Sequence, residues 1–361
     1  MSGVELTDVT GAGDGRDRAM TESVQNETGA PLLQVDDLQV EFVTRDGVAR
    51  AVNGVSYSVG AGETLAVLGE SGSGKSVTAQ AVMGILDTPP GRITGGRVLY
   101  RGEDLLTMPE EARRKIRGRK IAMIFQDALS ALNPVFSVGW QLGEMFRVHE
   151  GMSKKDSLKK AVELMERVRI PAAKERVNDY PHQFSGGMRQ RIMIAMALAL
   201  EPDLIIADEP TTALDVTVQA QVMELLAELQ AEYRMGLILI THDLGVVADV
   251  ADKIAVMYAG RIVETAPVHE LYARPAHPYT KGLLKSIPRL DQKGRDLYAI
   301  KGLPPSLLHI PDGCAFNPRC EAATDRCRTE LPLLQPVLDE DGADLAGRRS
   351  ACHFWKETLR G

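Results

Sequence analysis

The sequence predicts an α/β fold whose core is a parallel sheet buried on both faces, and three segments predict it. Thr64-Leu65-Ala66-Val67-Leu68 is an apolar run of strand length that feeds a glycine-rich loop, Gly69 to Ser76, and then a helix-forming stretch to Leu86. Leu204-Ile205-Ile206-Ala207 is a second such run and ends in adjacent carboxylates, Asp208 and Glu209. Leu237-Ile238-Leu239-Ile240 is a third, with His242 just beyond it. Short continuous apolar runs are how strands of a parallel sheet read, and such sheets bind ligands beyond their C-terminal strand ends.

In chain order, residues 1–30 are rich in Gly, Thr, Asp and Glu, lack apolar periodicity and read as a disordered tail. Residues 31–126 supply the first part of the core, beginning with an alternating strand from Leu33 to Phe42. Residues 127–200 alternate loops with helical patterns such as Lys155 to Val168. Residues 201–266 return to the core with the acidic strand end, the amphipathic helix Val216 to Tyr233 and the strand before His242. Residues 267–361 form an extension.

Gly69-Glu70-Ser71-Gly72-Ser73-Gly74-Lys75-Ser76 fits G-x-x-x-x-G-K-[ST] in the strand, loop and helix context which that motif requires. Glycine at 69, 72 and 74 lets the backbone approach closely, so that N–H groups along the loop, those of Ser71 and Ser73 among them, cradle the β- and γ-phosphates of ATP at a helix N-terminus. Lys75 adds a point charge, and the Ser76 hydroxyl is placed to ligate Mg²⁺. Asp208 would hold the same Mg²⁺, while Glu209, left without a metal role, suits polarising the attacking water.

Phe184-Ser185-Gly186-Gly187-Met188-Arg189-Gln190-Arg191 opens a strongly helical run to Leu200. Ser185 and the amides of Gly186 and Gly187 therefore make a second phosphate-binding helix N-terminus. One chain cannot easily use both on a single γ-phosphate, so Ser185 is expected to complete the site of a second subunit.

These motifs together resemble the nucleotide-binding subunits of ABC transporters. The resemblance implies a RecA-like P-loop NTPase core with an antiparallel β subdomain, a helical signature insertion over 127–200 and a small Cys-rich C-terminal extension. It implies that Gln126, in Ile124-Phe125-Gln126-Asp127, senses Mg²⁺ and water and links the site to a membrane partner. Asp215, in Ala213-Leu214-Asp215, corresponds to the aspartate at the dimer seam, His242 to the switch histidine at the γ-phosphate, and Phe42 to the aromatic that stacks on adenine.

Within that family, Tyr180-Pro181-His182-Gln183 leading into Phe184, Leu132-Asn133-Pro134-Val135, and His277-Pro278-Tyr279-Thr280-Lys281-Gly282-Leu283-Leu284 look like the ATPases of oligopeptide, dipeptide and nickel importers. Ser76-Val77-Thr78 is similar to the D-type member of the two unlike ATPases those systems employ. The implied partners are a second ATPase subunit of the unlike F-type, two transmembrane permease subunits and an extracytoplasmic solute-binding protein, at the cytoplasmic face of the plasma membrane. The implied cargo is a di- or oligopeptide, or a related small solute such as nickel. Ala128 departs from the pattern, since relatives tend to carry proline there.

Composition agrees. With 361 residues and 44% hydrophobic content, the chain can bury a full core. No apolar run approaches the roughly 18 residues of a membrane span; the longest clear case is Ile192 to Leu200. A membrane pore must then come from other chains. The net charge of −7 argues against nucleic acid as the main partner, and the basic cluster from Arg113 to Lys120 reads as solvated surface before a strand.

All four cysteines, Cys314, Cys320, Cys327 and Cys352, fall near the end of the chain. Four clustered thiolates suit tetrahedral zinc or an iron–sulfur cluster, although the spacings match neither zinc ribbons nor a common ferredoxin run. The resemblance of Gly313-Cys314-Ala315-Phe316-Asn317-Pro318-Arg319-Cys320 to the importer ATPases implies a [4Fe–4S] cluster, with Zn²⁺ as the alternative.

Overall fold

The structure is a computed structural model that describes residues 30–212, 214–287, 298–339 and 341–360. The tail expected over residues 1–30 lies, apart from Ala30, outside them. Among the described residues the strands are β1 (Leu33–Thr44), β2 (Gly47–Val59), β3 (Thr64–Leu68), β4 (Gly91–Tyr100), β5 (Glu103–Asp104), β6 (Ile121–Ile124), β7 (Leu204–Asp208), β8 (Gly236–Thr241), β9 (Lys253–Tyr258), β10 (Arg261–Pro267), β11 (Gln335–Leu338) and β12 (Asp344–Ser350).

β3, β7 and β8 are buried along their whole length, as their uninterrupted apolar sequences require. They form the middle of a sheet ordered β11-β12-β10-β9-β3-β8-β7-β6, parallel from β9 through β6 and antiparallel from β9 to β11. A second sheet, β2-β1-β4-β5, is antiparallel.

The pleat divides the core in two. Ala66, Leu68, Ile205, Ala207, Leu237 and Leu239 pack in one apolar cluster, whereas their neighbours Leu65, Val67, Leu204, Ile206, Ile238 and Ile240 pack in another. The first cluster takes in Leu142, Met165 and Ile192 from helices Val138–Glu150, Lys154–Arg167 and Gly186–Leu198. The second takes in Leu33, Val35 and Leu38 of β1 and Val82 of helix Lys75–Met83. The antiparallel sheet and the helical segment thus cover opposite faces of the central sheet.

Serines start those helices: Ser137, Ser153 and Ser185 each accept a backbone N–H from their own first turn. β12 hydrogen-bonds to β10 through Glu264 and Thr265, so the chain beyond Pro267 shares the core's sheet. No helix of the described residues is long and apolar enough to cross a membrane.

Candidate active site

β3 delivers the chain into Gly69, whose φ of 157° is close to extended and whose added Cβ would lie 2.3 Å from the Met257 carbonyl oxygen. Gly74 has φ 102°, and a Cβ there would lie 2.3 Å from the Ala51 carbonyl oxygen. The loop is wedged against two backbones and only glycine fits. At Gly72 an added Cβ would meet nothing within 4 Å, so the loop is open on that side.

That side is a cleft of 430 Å³ lined by Glu70 to Val77, Gln126, Glu209 and His242. Lys75, buried at its base, donates from Nζ to the carbonyls of Gly69 (2.9 Å) and Glu70 (3.1 Å). Burial pulls its ammonium below the ordinary lysine value, against the upward pull of Glu209, Asp208 and Glu70. The Ser73 hydroxyl is buried without a hydrogen-bond partner.

Glu209 follows β7 in a left-handed conformation, φ 46°, which a non-glycine residue holds only against strain. Its N–H donates to the Ile240 carbonyl (2.8 Å). Its carboxylate is the meeting point of the site. Gln126 Nε2 donates to Oε2 (3.1 Å), as does Thr212 Oγ1 (2.9 Å); His242 Nδ1 is 3.5 Å from the same oxygen, and Lys75 Nζ is 3.9 Å from Oε1. Ser76 Oγ donates to Asp208 Oδ1 (2.9 Å). Burial raises the Asp208 carboxyl above its ordinary value, partly opposed by that hydrogen bond.

These residues fit a nucleoside triphosphate with Mg²⁺. An open glycine cradle and a buried lysine suit an anion, and the hydroxyl and carboxylate oxygens of Ser76 and Asp208 are adjacent donors of the type a hard cation takes.

The remaining expected residues lie elsewhere. Phe42 sits half-buried on β1 opposite Ala49 and Gly91, and does not line the cleft. Ser185 caps helix Gly186–Leu198 by accepting the Met188 N–H (3.4 Å), and Asp215 caps helix Val216–Tyr233 by accepting the Val218 N–H (3.0 Å). The two caps are neighbours, since an added Cβ on Gly187 would lie 2.5 Å from Val218 Cγ1. Neither lines the cleft, so Ser185, Gly186, Gly187 and Asp215 lie outside this chain's own loop lysine site.

A family model described as "ABC transporter" matches residues 52–212, and one described as "Oligopeptide/dipeptide transporter, C-terminal region" matches residues 263–327. The oligopeptide transport ATP-binding protein OppD of Salmonella typhimurium is 52% identical over 84% of this chain and 90% of its own length. The chain belongs to the ABC transporter family. The dipeptide transport ATP-binding protein DppD of Escherichia coli is 49% identical to this ABC protein over 90% of the chain and 96% of its own. Among solved structures, the dimeric post-hydrolysis state of an ATP-binding cassette bound to ADP and phosphate is similar with TM-score 0.59 at 26% identity, covering 65% of this chain and 98% of that one.

In this ABC protein the iron–sulfur or zinc expectation is corrected. The four cysteines are free thiols around one cavity, yet among the described residues no group of three or more Cys, His, Asp or Glu side chains is arranged to hold a metal ion. Burial pushes Cys314 up to about 11 and Cys352 up to about 12, and raises Cys320 as well. Local partners also occupy them: Cys352 Sγ accepts the Phe354 N–H (3.4 Å), and Cys327 Sγ lies 3.6 Å from the Thr324 hydroxyl. His353, beside Cys352, bonds the Glu330 carbonyl instead (2.9 Å).

Sequence reasoning missed Thr212 as a partner of Glu209, and it missed two residues of the extension, Tyr279 and Arg319, that bind Glu70 of the phosphate loop. Tyr279 lies inside a segment the sequence singled out, but nothing local in it signals a partner 209 residues away.

Proposed function

We propose that this chain is the ATP-hydrolysing subunit of an importer of di- and oligopeptides, or of a related small solute such as nickel. It works at the cytoplasmic face of the plasma membrane with two transmembrane permease subunits, an extracytoplasmic solute-binding protein and a second ATPase subunit of the unlike, F-type kind. The names of its relatives, oligopeptide and dipeptide transport ATP-binding proteins, support the cargo class.

The observation that carries the reading is the gathering of Lys75, Gln126, Thr212 and His242 around the Glu209 carboxylate, beside the joined oxygens of Ser76 and Asp208. The N–H groups from Ser71 to Ser76 bind the β- and γ-phosphates, with Lys75 turning its ammonium from the loop carbonyls to the phosphate oxygens. Ser76, Asp208 and Gln126 would hold Mg²⁺, which when bound supplies positive charge to the phosphate oxygens. Glu209 takes the proton of the attacking water, and His242 orients against the γ-phosphate. Phe42 takes the adenine ring. The adjacent caps, Ser185-Gly186-Gly187 and Asp215, complete the site of the second ATPase subunit, so ATP binding closes the pair and hydrolysis releases it. Residues 31–126 and 201–266 serve as the ATP-binding core, 127–200 as the helical signature subdomain that carries this motion to the permease, and 267–361 as the extension.

The test is Glu209→Gln in the assembled transporter. MgATP binding should persist while steady-state hydrolysis falls on the order of 10²-fold or more, the worth of a general base. Unchanged turnover would remove Glu209 from the chemistry.

A further inference from the structure

Glu70 puts a carboxylate inside the loop that receives phosphates. Its charge is not left bare. Arg319, on the short turn Asn317–Arg319 of the extension, donates from Nη1 to Glu70 Oε2 (2.6 Å) and from Nη2 to Oε1 (3.0 Å), a two-pronged ion pair. The arginine side chain is 5% exposed, and its remaining donors are fixed as well: Nε donates to the Lys301 carbonyl (3.1 Å), and Nη1 also reaches the Tyr258 hydroxyl (3.3 Å). From the helix Pro278–Lys285, Tyr279 Oη accepts the Glu70 N–H (2.9 Å). The Glu70 carbonyl accepts from Lys75 Nζ. One loop residue is therefore tied at its amide and its carboxylate by the extension, and at its carbonyl by the lysine of the phosphate site.

We propose that Arg319 and Tyr279 are positioning residues of the ATP site, Arg319 cancelling the Glu70 carboxylate beside the incoming phosphates and Tyr279 fixing the Glu70 amide, so that the extension completes the phosphate loop. The inference rests on the ATP reading above. The physical reason is electrostatic. A lone carboxylate among loop residues that bind a polyphosphate repels it through a poorly screened path, and a buried guanidinium in fork geometry is the side chain best suited to prevent that.

The experiment compares KM for ATP, kcat and thermal midpoint of the assembled transporter for wild type, Arg319→Met, Glu70→Gln, the Arg319→Met/Glu70→Gln double variant and Tyr279→Phe. Arg319→Met should raise KM on the order of tenfold while kcat stays within about threefold, because the chemistry at Glu209 is untouched. Removing the orphaned carboxylate in the double variant should return KM to within about threefold of wild type, a rescue that a merely structural role for Arg319 would not give. Tyr279→Phe should raise KM severalfold. Should Arg319→Met fail to fold, Glu70→Gln alone decides: KM equal to or below wild type supports the inference, and a tenfold rise overturns it. A wild-type KM in well-folded Arg319→Met, or a double variant no better than the single one, also overturns it. A wild-type complex that binds no MgATP would overturn the ATP reading itself, and the clamp with it.

Discussion

Ser76 and Asp208 are joined by a 2.9 Å hydrogen bond across 132 residues of sequence. Sheet register brings them together: Asp208 on β7 lies opposite Ile240 on β8, and Ile240 lies opposite Val67 on β3. The acid at the end of one strand is thus level with the last turn of another strand before its glycine loop, and the hydroxyl at the start of the following helix falls within reach.

Asp208→Asn should therefore act through the cation. The amide loses the charge that offsets Mg²⁺ while keeping the shape that accepts from Ser76, so the Mg²⁺ concentration for half-maximal ATP hydrolysis should rise more than about tenfold. Ser76→Ala should shift it less, since it removes a neutral ligand. A magnesium titration of the ATPase rate reads both, and an unshifted curve for Asp208→Asn would take the carboxylate out of the metal site.

Two glycines of one loop should behave differently. Gly74→Ala sets a Cβ against the Ala51 carbonyl in a left-handed backbone, which costs about 1–2 kcal/mol for the backbone alone and more for the contact; the thermal midpoint should fall by several degrees. Gly72→Ala has the left-handed cost but no collision, so its stability loss should be smaller, while its methyl intrudes on the open cradle and weakens nucleotide binding. Equal midpoints for the two variants would refute the wedge.

His277 is fully enclosed and accepts the Tyr279 N–H at Nδ1 (3.1 Å), capping the helix that carries Tyr279. Burial pulls its imidazole down to about 3. The sign follows from proton counting: the unfolded chain binds a proton near pH 6.5 that the folded chain refuses, so the stability present above 6.5 is lost as pH falls toward 3, at about 1.4 kcal/mol per unit. Glu264, which accepts the His277 N–H and is pushed up to about 7, runs the other way, its folded form taking up a proton as pH falls from 7 toward 4.5. His277→Asn keeps an acceptor for the cap without the titration. Denaturant unfolding from pH 8 to 4 should show the variant gaining on wild type only below pH 6.5, and a constant gap would show that His277 takes up its proton in the fold as readily as in the unfolded chain.

The phosphate loop and the acidic strand end were legible because their chemistry is written in local spacing: a buried strand, a turn only glycine can make and a helix start occupy consecutive residues. Lys75, Ser76, Asp208, Glu209, Gln126 and His242 come together because parallel strands end on one edge. The Glu70 clamp had no such signature, since Arg319 is 249 residues away and an arginine in a cysteine-rich turn looks like any surface cation. The cysteines erred in the opposite direction. Their crowding in sequence does carry into space around one cavity, but crowding does not specify the convergence of three ligands on one point that a metal demands.

The pairing of β12 with β10 makes the extension hard to dispense with. Removing the chain beyond the family's cassette would strip a partner from β10 at Glu264 and Thr265 and leave a rim of unpaired amides and carbonyls at the margin of the ATP-binding sheet. It would also leave the Glu264 carboxylate buried without the Ala276 and His277 amides that now satisfy it. Trimming this protein to a minimal cassette would thus trade a lost appendage for a sticky seam.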